Sequence, residues 1–190
     1  MSSKQSRRET LKLFASLAAA CTAGVVVSRR SSLSTLLAQE AGMLSPQKKA
    51  ESLGITFEKI PAGYLNKCVR TGNLLITSGH TSKMKGKLGA DLATKQGYDA
   101  ARECAVEILR SVWSLHGTLD GLRVLKVLGC VNCTPDFIEQ PQVVNGCSDL
   151  LHEIFGKQTD GYHARSALGF ASLPAGVAVE VEAIFEIKAS

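Results

Sequence analysis

Six short stretches of the chain have the apolar and polar pattern of half-buried β-strands. They lie at residues 55–60, 64–72, 73–80, 122–133, 163–173 and 178–187. Gly72-Asn73 separates the second stretch from the third and predicts a tight hairpin turn. Pro174-Ala175-Gly176 is a turn-forming triplet between the last two stretches, so we expect those two to form a second hairpin.

Two longer stretches have apolar residues at every third or fourth position, which predicts helices with one buried face. The first begins at an Asp91 N-cap and ends at His116-Gly117. Its expected buried residues are Ala101, Cys104, Ala105, Ile108, Val112 and Leu115. The second ends before Gly156, and its expected buried residues are Val144, Cys147, Leu151, Ile154 and Phe155.

The predicted order of elements is therefore β-β-β-α-β-α-β-β. This order is typical of a single α+β domain in which two helices cover one face of a mostly antiparallel sheet. We expect the domain to span residues 55–190, after a polar linker at 41–54.

Residues 1–40 have a different character from the rest of the chain. They contain the Arg7-Arg8 pair, followed by an alanine-rich apolar run from Leu13 to Ser28 and then small residues. This order is that of an export signal, and the arginine pair resembles the twin-arginine consensus. The apolar run is too short for a stable membrane span. We expect export to a periplasmic or other extracytoplasmic location; the alternative is an N-terminal arm on a cytoplasmic protein.

The distribution of charge argues against a nucleic-acid partner. The net charge is +5, but residues 1–40 hold six Lys or Arg against two Glu, which leaves +1 on residues 41–190. Binding to a phosphate backbone needs a clustered positive face. The sequence beyond residue 40 has no such cluster and a single Trp.

The six cysteines do not have the spacing of a disulfide framework. Cys130 and Cys133 form a CxxC within a predicted strand, where positions three apart face opposite sides. No second CxxC and no nearby pair of histidines completes a tetrahedral metal site. We therefore expect structural cysteines and no metal.

Arg165 shares its side of a predicted strand with three very small residues, Ala167, Gly169 and Ala171. A partly buried arginine needs an anion. The candidates are a glutamate of the last strand or a ligand carboxylate, which matches the guanidinium fork. The small-residue face could equally pack against another subunit, and both hold if a pocket lies at the interface.

Three segments resemble the Rid superfamily (reactive intermediate deaminases, also called YjgF-like or endoribonuclease L-PSP-like). They are NLLITSGH at 73–80, VVNGCSDLLHEIFG at 143–156 and HARSALGFASLPAGVAVEVEAIFEI at 163–187. The resemblance covers essentially the whole predicted domain. It implies a chorismate-mutase-like fold and a homotrimer whose subunits pack sheet to sheet, with active sites in the clefts between them.

The resemblance also implies roles for individual residues. Arg165 would hold the carboxylate of a 2-imino or enamine acid, and Glu180 would orient the hydrolytic water. The implied substrate-binding residues are Ser78, Gly79, His80, Asn145, Ala167 (through its main-chain carbonyl) and Tyr64. His80 stands where many members have Gln, and Tyr64 belongs to an Ala-Gly-Tyr segment in place of the family's Gly-Pro-Tyr.

The implied activity is hydrolysis of reactive 2-imino or enamine acids to 2-keto acids and ammonia, without a metal or organic cofactor. Imine hydrolysis has a low intrinsic barrier, so positioning by the arginine and one oriented water would suffice. Two alternatives are a non-catalytic homologue that binds small carboxylates or protects other molecules, and an endoribonuclease. The near-neutral charge of the domain weighs against the endoribonuclease.

Overall fold

The structure is a computed structural model that describes residues 44–189, so the predicted export signal at 1–40 lies outside the described residues. The helices are α1 (Pro46–Ser52), α2 (Thr94–His116) and α3 (Gln140–Phe155). The strands are β1 (Cys68–Thr71), β2 (Leu74–Thr77), β3 (His80–Thr81), β4 (Leu122–Asn132), β5 (Ala164–Phe170) and β6 (Val179–Ile187). Together they form an α+β domain, which confirms the predicted fold class.

The strands form one mixed sheet in the order β1-β2-β6-β4-β5, and the short β3 also pairs with β6. β4 and β5 are parallel, whereas the other pairs are antiparallel. The predicted hairpin turn at Gly72-Asn73 is confirmed: Thr71 pairs with Leu74, and Gly72 has a φ of 58°. Glycine is favoured there because that angle strains residues with a side chain.

The predicted hairpin of the last two strands is wrong, because β4 lies between them. Arg165 of β5 pairs with Val127 of β4, and Ala183 of β6 pairs with the same Val127 from the other side. Residues 171–178 must therefore span two strand spacings, about 10 Å. A local turn motif does not reveal that a third strand will insert between its flanks.

The predicted strand at 55–60 is absent, and side chains of α2 hydrogen-bond to its backbone instead. The Ile60 N–H donates to the Ser114 hydroxyl at 2.8 Å, and the Arg110 Nε donates to the Thr56 carbonyl at 3.2 Å. The alternation of apolar residues here therefore reflects contact with a helix rather than with a neighbouring strand.

The predicted linker at 41–54 contains helix α1. The Ser45 side chain caps this helix by accepting a hydrogen bond from the Lys48 N–H. Ala50 is fully buried in the hydrophobic core. The described domain therefore includes residues that sequence analysis placed before it.

Helices α2 and α3 pack on one face of the sheet, as predicted. α2 begins at Thr94 rather than next to Asp91, because the Ala93 N–H donates to the Gln96 side chain and closes the first turn there. It ends as predicted at Gly117, which has a φ of 93°. No helix between residues 44 and 189 is long and apolar enough to cross a membrane.

The buried faces of α2 and α3 match the sequence pattern at all the expected positions except Leu115, which is 46% exposed. Leu115 occupies the last turn of α2 and lines a surface cavity formed by the loop at 60–68. The apolar periodicity of α2 therefore extends one turn beyond the residues that pack in the core.

Two glycines allow α3 to approach its neighbours closely. A β-carbon at Gly146 would overlap the Tyr98 carbonyl oxygen of α2. A β-carbon at Gly129 of β4 would overlap the Val144 side chain. Close packing at these two points holds the middle of α3 against α2 and β4.

The other face of the sheet is not covered by any helix of the described part of the chain. Apolar side chains remain exposed on this open face, with Leu168 48% and Phe170 39% accessible. Glu180 and Glu182 lie on the same face, since the alternate residues Val181 and Ala183 are buried under the helices.

The cysteines of the described region are free thiols. Cys130 pairs with Glu180 on the open face, whereas Cys133 is buried and accepts a hydrogen bond from Gln140 Nε2 at 3.6 Å. The two cysteines therefore face opposite sides, as the strand pattern predicted. Within residues 44–189, no group of three His, Cys, Asp or Glu side chains is arranged to hold a metal ion.

Candidate functional site

Arg165 lies on the outer strand β5 and points to the helix-covered side of the sheet. This side follows from its pairing with Val127, which is fully buried. The Arg165 Nη1 donates to Asn145 Oδ1 at 2.8 Å and to Ser148 Oγ at 3.1 Å, both on α3. The structure therefore brings together Arg165 and Asn145, two of the residues that sequence analysis selected.

The positive charge of Arg165 has no carboxylate partner within 4 Å among residues 44–189. Its hydrogen bonds to described residues all come from Nη1, so Nε and Nη2 stay free for another acceptor. These two N–H groups form the parallel pair that binds a carboxylate bidentately. Arg165 lines an open cavity of about 340 Å³ together with residues of α3 and of the segment before β5.

His163 is linked to Arg165 through Ser148, and it was not among the site residues predicted from the sequence. The ring Nε2 of His163 is 3.0 Å from Ser148 Oγ, and Nδ1 is 2.6 Å from the Gly161 carbonyl oxygen. His152 packs on this ring with the two centroids 5.2 Å apart. Arg165, Ser148 and the two histidines therefore form one continuous cluster.

Both histidines of the cluster are held in the neutral form. Burial lowers the pKa of His163, and the nearby His152 and Arg165 lower it further against the opposing hydrogen bond to Gly161. Burial likewise lowers the pKa of His152. At neutral pH the guanidinium is therefore flanked by uncharged rings, and its charge is available to a ligand.

The small residues that follow Arg165 on its side of β5 do not line the Arg165 cavity. Ala167 packs on the hydrophobic core. A side chain at Gly169 would overlap Cys133 and Gln140, so the absence of one leaves room for the first turn of α3. Ala167 and Gly169 therefore serve packing, and a separate cavity of about 390 Å³ lies at the far end of the strand, lined by Gly169, Phe170 and Ala171.

Glu180 lies on the open face, opposite to the side of Arg165. It pairs with Cys130 of β4 and with Thr81 of β3. Its carboxylate lies against Gly79, where an added β-carbon would overlap Oε1. Burial raises the pKa of the Cys130 thiol, and Glu180 and Glu182 raise it further. The structure therefore joins Glu180 with Gly79 but not with the arginine.

The strand register separates Arg165 from Glu180 within one subunit. Arg165 is level with Ala183, three residues along β6 from Glu180, and β4 stands between the two strands. Two strand spacings and three residues of rise place the two Cα atoms roughly 14 Å apart. One chain therefore does not bring both side chains into the same site.

Ser78 and His80 hold the backbone around β3. The Ser78 hydroxyl donates to the Asn66 carbonyl at 2.7 Å. His80 is 5% exposed, and its ring contacts the Ser78 carbonyl oxygen and the Ser111 hydroxyl, each at 2.7 Å. Tyr64 is fully exposed on the loop before β1. None of these three side chains reaches the Arg165 cavity.

Ser148 and His163 had a weak signal in the sequence. Ser148 follows Asn145 by three residues on one helix, and such residues share a face. His163 precedes Arg165 by two residues along the chain, as residues on the same side of a strand do. Neither spacing indicates which helix faces which strand, so the cluster became visible once the fold was known.

Comparisons with known proteins identify the family of this chain. Residues 58–182 match a family described as "YjgF/chorismate_mutase-like, putative endoribonuclease". This chain belongs to the YjgF (Rid) family. The resemblance seen in the sequence is thereby confirmed.

Two relatives of this YjgF-family chain illustrate the similarity. Protein TCP17 of Trypanosoma cruzi is 42% identical over 127 residues, which cover 63% of this chain and 79% of TCP17. The structure of Atu1372 from Agrobacterium tumefaciens, a protein of unknown function, superimposes with a TM-score of 0.68. It is 36% identical, and the match covers 81% of this chain and 99% of Atu1372.

Proposed function

We propose that this YjgF-family protein hydrolyses reactive 2-imino acids and their enamine tautomers. The imine R–C(=NH)–COO⁻ takes up water at its carbon to form a carbinolamine. Loss of ammonia from that carbon then leaves the 2-keto acid R–CO–COO⁻. The carboxylate is unchanged throughout, so it provides a fixed anchor point for a cation.

The observation that carries this proposal is the unpaired guanidinium of Arg165. It is oriented by two neutral partners, Asn145 and Ser148, and its Nε and Nη2 edge makes no hydrogen bond to a described residue. A carboxylate held there fixes the position of the imine carbon relative to the attacking water. Such positioning is the main requirement for a reaction with a low barrier.

Glu180 is the proposed water-orienting group. It lies on the open face, so in our proposal a second subunit of a homotrimer brings its Glu180 to the Arg165 cavity of the first. Exposed Leu168 and Phe170 on that face support sheet-to-sheet packing, because burying them removes apolar surface from water. Neither a metal nor an organic cofactor takes part in the proposed steps.

The test is a hydrolysis assay with 2-iminopropionate, generated in place by an amino-acid oxidase acting on alanine. Arg165→Ala is expected to lower kcat/KM by about 100-fold, because the anchoring fork is removed. Arg70→Ala is the matched control, since Arg70 is exposed and its guanidinium bonds to the neighbouring Gly72 carbonyl. Equal rates in the two variants would contradict the arginine's role.

The same assay tests Glu180. Glu180→Gln keeps the size of the side chain but removes the charge that orients and deprotonates water, so kcat is expected to fall by about 100-fold. Glu182→Gln, two residues along the same face, should stay within a few-fold of the wild type. Wild-type hydrolysis no faster than the buffer background would remove the deaminase proposal altogether.

A second candidate function is binding of small carboxylates without catalysis. The separation of Arg165 and Glu180 on opposite faces favours it, since one subunit offers an anion site without a water-orienting carboxylate. Pyruvate binding without imine hydrolysis would establish it.

For an endoribonuclease, suggested by the family's description, RNA cleavage would have to be lost in Arg165→Ala or Glu180→Ala; cleavage that persists in both indicates a contaminant or another site.

A further inference from the structure

The hydrogen bonds that link Arg165 to Ser148, His163 and the Gly161 carbonyl have a fixed direction. The Gly161 carbonyl can only accept, so His163 Nδ1 carries the proton of the bond between them. In the neutral ring Nε2 is then an acceptor, and the Ser148 hydroxyl must donate to it. The remaining lone pairs of Ser148 Oγ are left to accept from Arg165 Nη1.

We propose that Ser148 and His163 are positioning residues of the arginine site. They hold the Arg165 guanidinium by a one-way chain of hydrogen bonds that ends at the Gly161 carbonyl. The inference rests on the proposed role of Arg165 as the carboxylate anchor, and it adds two residues that act through the guanidinium.

The hydrogen-bond chain is buried, which explains why it can position the arginine. Ser148 is 5% exposed, so water does not compete effectively for its hydroxyl. Without a partner at His163 the hydroxyl would be free to rotate and donate elsewhere, for example to a carbonyl of its own helix. His163 thus selects the hydroxyl orientation in which the oxygen faces Arg165.

Asn145 alone does not fix the guanidinium plane. Both Asn145 Oδ1 and Ser148 Oγ accept from the same Nη1 atom, at 2.8 and 3.1 Å. Two acceptors at one nitrogen define the directions of its two N–H bonds, and hence the plane of the whole group. That plane determines where Nε and Nη2 present their N–H bonds to a carboxylate.

The test measures the affinity for pyruvate, the 2-keto acid product of the proposed reaction, by isothermal titration calorimetry. Ser148→Ala is expected to weaken pyruvate binding by about 10-fold, because a hydrogen bond to a charged group is lost. Ser111→Ala is the matched control: Ser111 is equally buried and also bonds to a histidine, His80, but its hydroxyl accepts no hydrogen bond from an arginine of the described residues. Its pyruvate affinity should remain that of the wild type.

A pair of variants at His163 separates positioning from packing. His163→Gln retains an amide oxygen to accept from Ser148 and an N–H₂ group to donate to Gly161, so it should bind pyruvate within about two-fold of the wild type. His163→Leu fills similar space without either bond and should lose about 10-fold. This pair keeps the inference testable if Ser148→Ala does not fold.

The outcomes distinguish the inference from the proposed function. Weak pyruvate binding in Ser148→Ala and His163→Leu, with wild-type binding in His163→Gln, supports the positioning role even where no imine hydrolysis is found. Equal affinity in Ser148→Ala and Ser111→Ala overturns it. A wild-type protein that does not bind pyruvate at all overturns both the positioning role and the arginine anchor.

Discussion

His80 is a buried side chain whose protonation matters for stability. Its Nδ1 lies against the Ser78 carbonyl and its Nε2 against the Ser111 hydroxyl, so the neutral ring makes one hydrogen bond as donor and one as acceptor. Burial lowers the pKa of His80, and the bond to Ser78 opposes this shift only in part. The folded protein therefore holds this ring neutral at pH values where the unfolded chain binds a proton.

We expect the free energy of unfolding to fall as the pH drops below about 6.5, the ordinary pKa of histidine. Between that pH and the lower folded-state pKa, the unfolded chain takes up a proton at His80 and the folded protein does not. This single group contributes at most about 1.4 kcal/mol per pH unit in that window, and nothing further below it.

Urea denaturation of the wild type and of His80→Gln, at several pH values between 7.5 and 4.5, measures this contribution. The other histidines titrate in both proteins, so the difference in pH dependence belongs to His80. The variant should show the shallower loss of stability on acidification. Parallel curves would mean that His80 titrates in the folded protein as it does in the unfolded chain.

At the scale of elements, helix α3 connects the core to the candidate site. One of its faces packs on β4 and α2, and Asn145 and Ser148 reach the outer strand β5. Gly146, next to Asn145, lies directly against the Tyr98 carbonyl of α2. The spacing of the two helices therefore determines how far the site residues extend toward Arg165.

Gly146→Ala is expected to destabilise the protein by about 1–3 kcal/mol, because the added methyl group must push α3 away from backbone atoms that cannot rotate aside. Chemical denaturation monitored by circular dichroism measures the change. Gly63→Ala is the control, since that glycine has only an ordinary contact with the Leu65 carbonyl and should change stability by less than about 0.5 kcal/mol. Equal stability of the two variants would show that α2 and α3 can move apart without lowering the free energy of unfolding.

At the scale of the whole molecule, the open face of the sheet carries the proposed assembly. It combines exposed Leu168 and Phe170 with the row of glutamates that includes Glu180. An uncovered sheet face with large apolar side chains is a favourable surface for another copy of the same chain. The proposed shared site would combine Glu180 of one subunit with Arg165 of a neighbour.

Light scattering is expected to show a trimer for the wild type and a monomer for Leu168→Lys, because a buried lysine without a partner is costly at an apolar contact. The monomer should also lose imine hydrolysis while it keeps its folded circular dichroism spectrum. Ile138→Lys is the control: Ile138 is also exposed but lies just before α3, outside the sheet, and this variant should stay trimeric. A monomeric wild type with full activity would contradict the proposed shared site.

The sequence by itself determined the parts of this protein that depend on local periodicity. Burial every three to four residues defines α2 and α3, including the glycines that follow their last turns, and alternation defines β4 and β6. The family motifs also include Asn145 and Arg165, which hydrogen-bond to each other in the fold. These signals are readable because each comes from neighbouring residues of one element.

The tertiary structure decided which elements became neighbours. It inserted β4 between the last two strands, put Arg165 and Glu180 on opposite faces, and hydrogen-bonded the 55–60 segment to α2 instead of to a strand. It also joined Ser148 and His163 to the arginine. Strand order and helix placement depend on packing between residues distant in the chain, and a pattern within one segment carries no information about which distant surface will cover it.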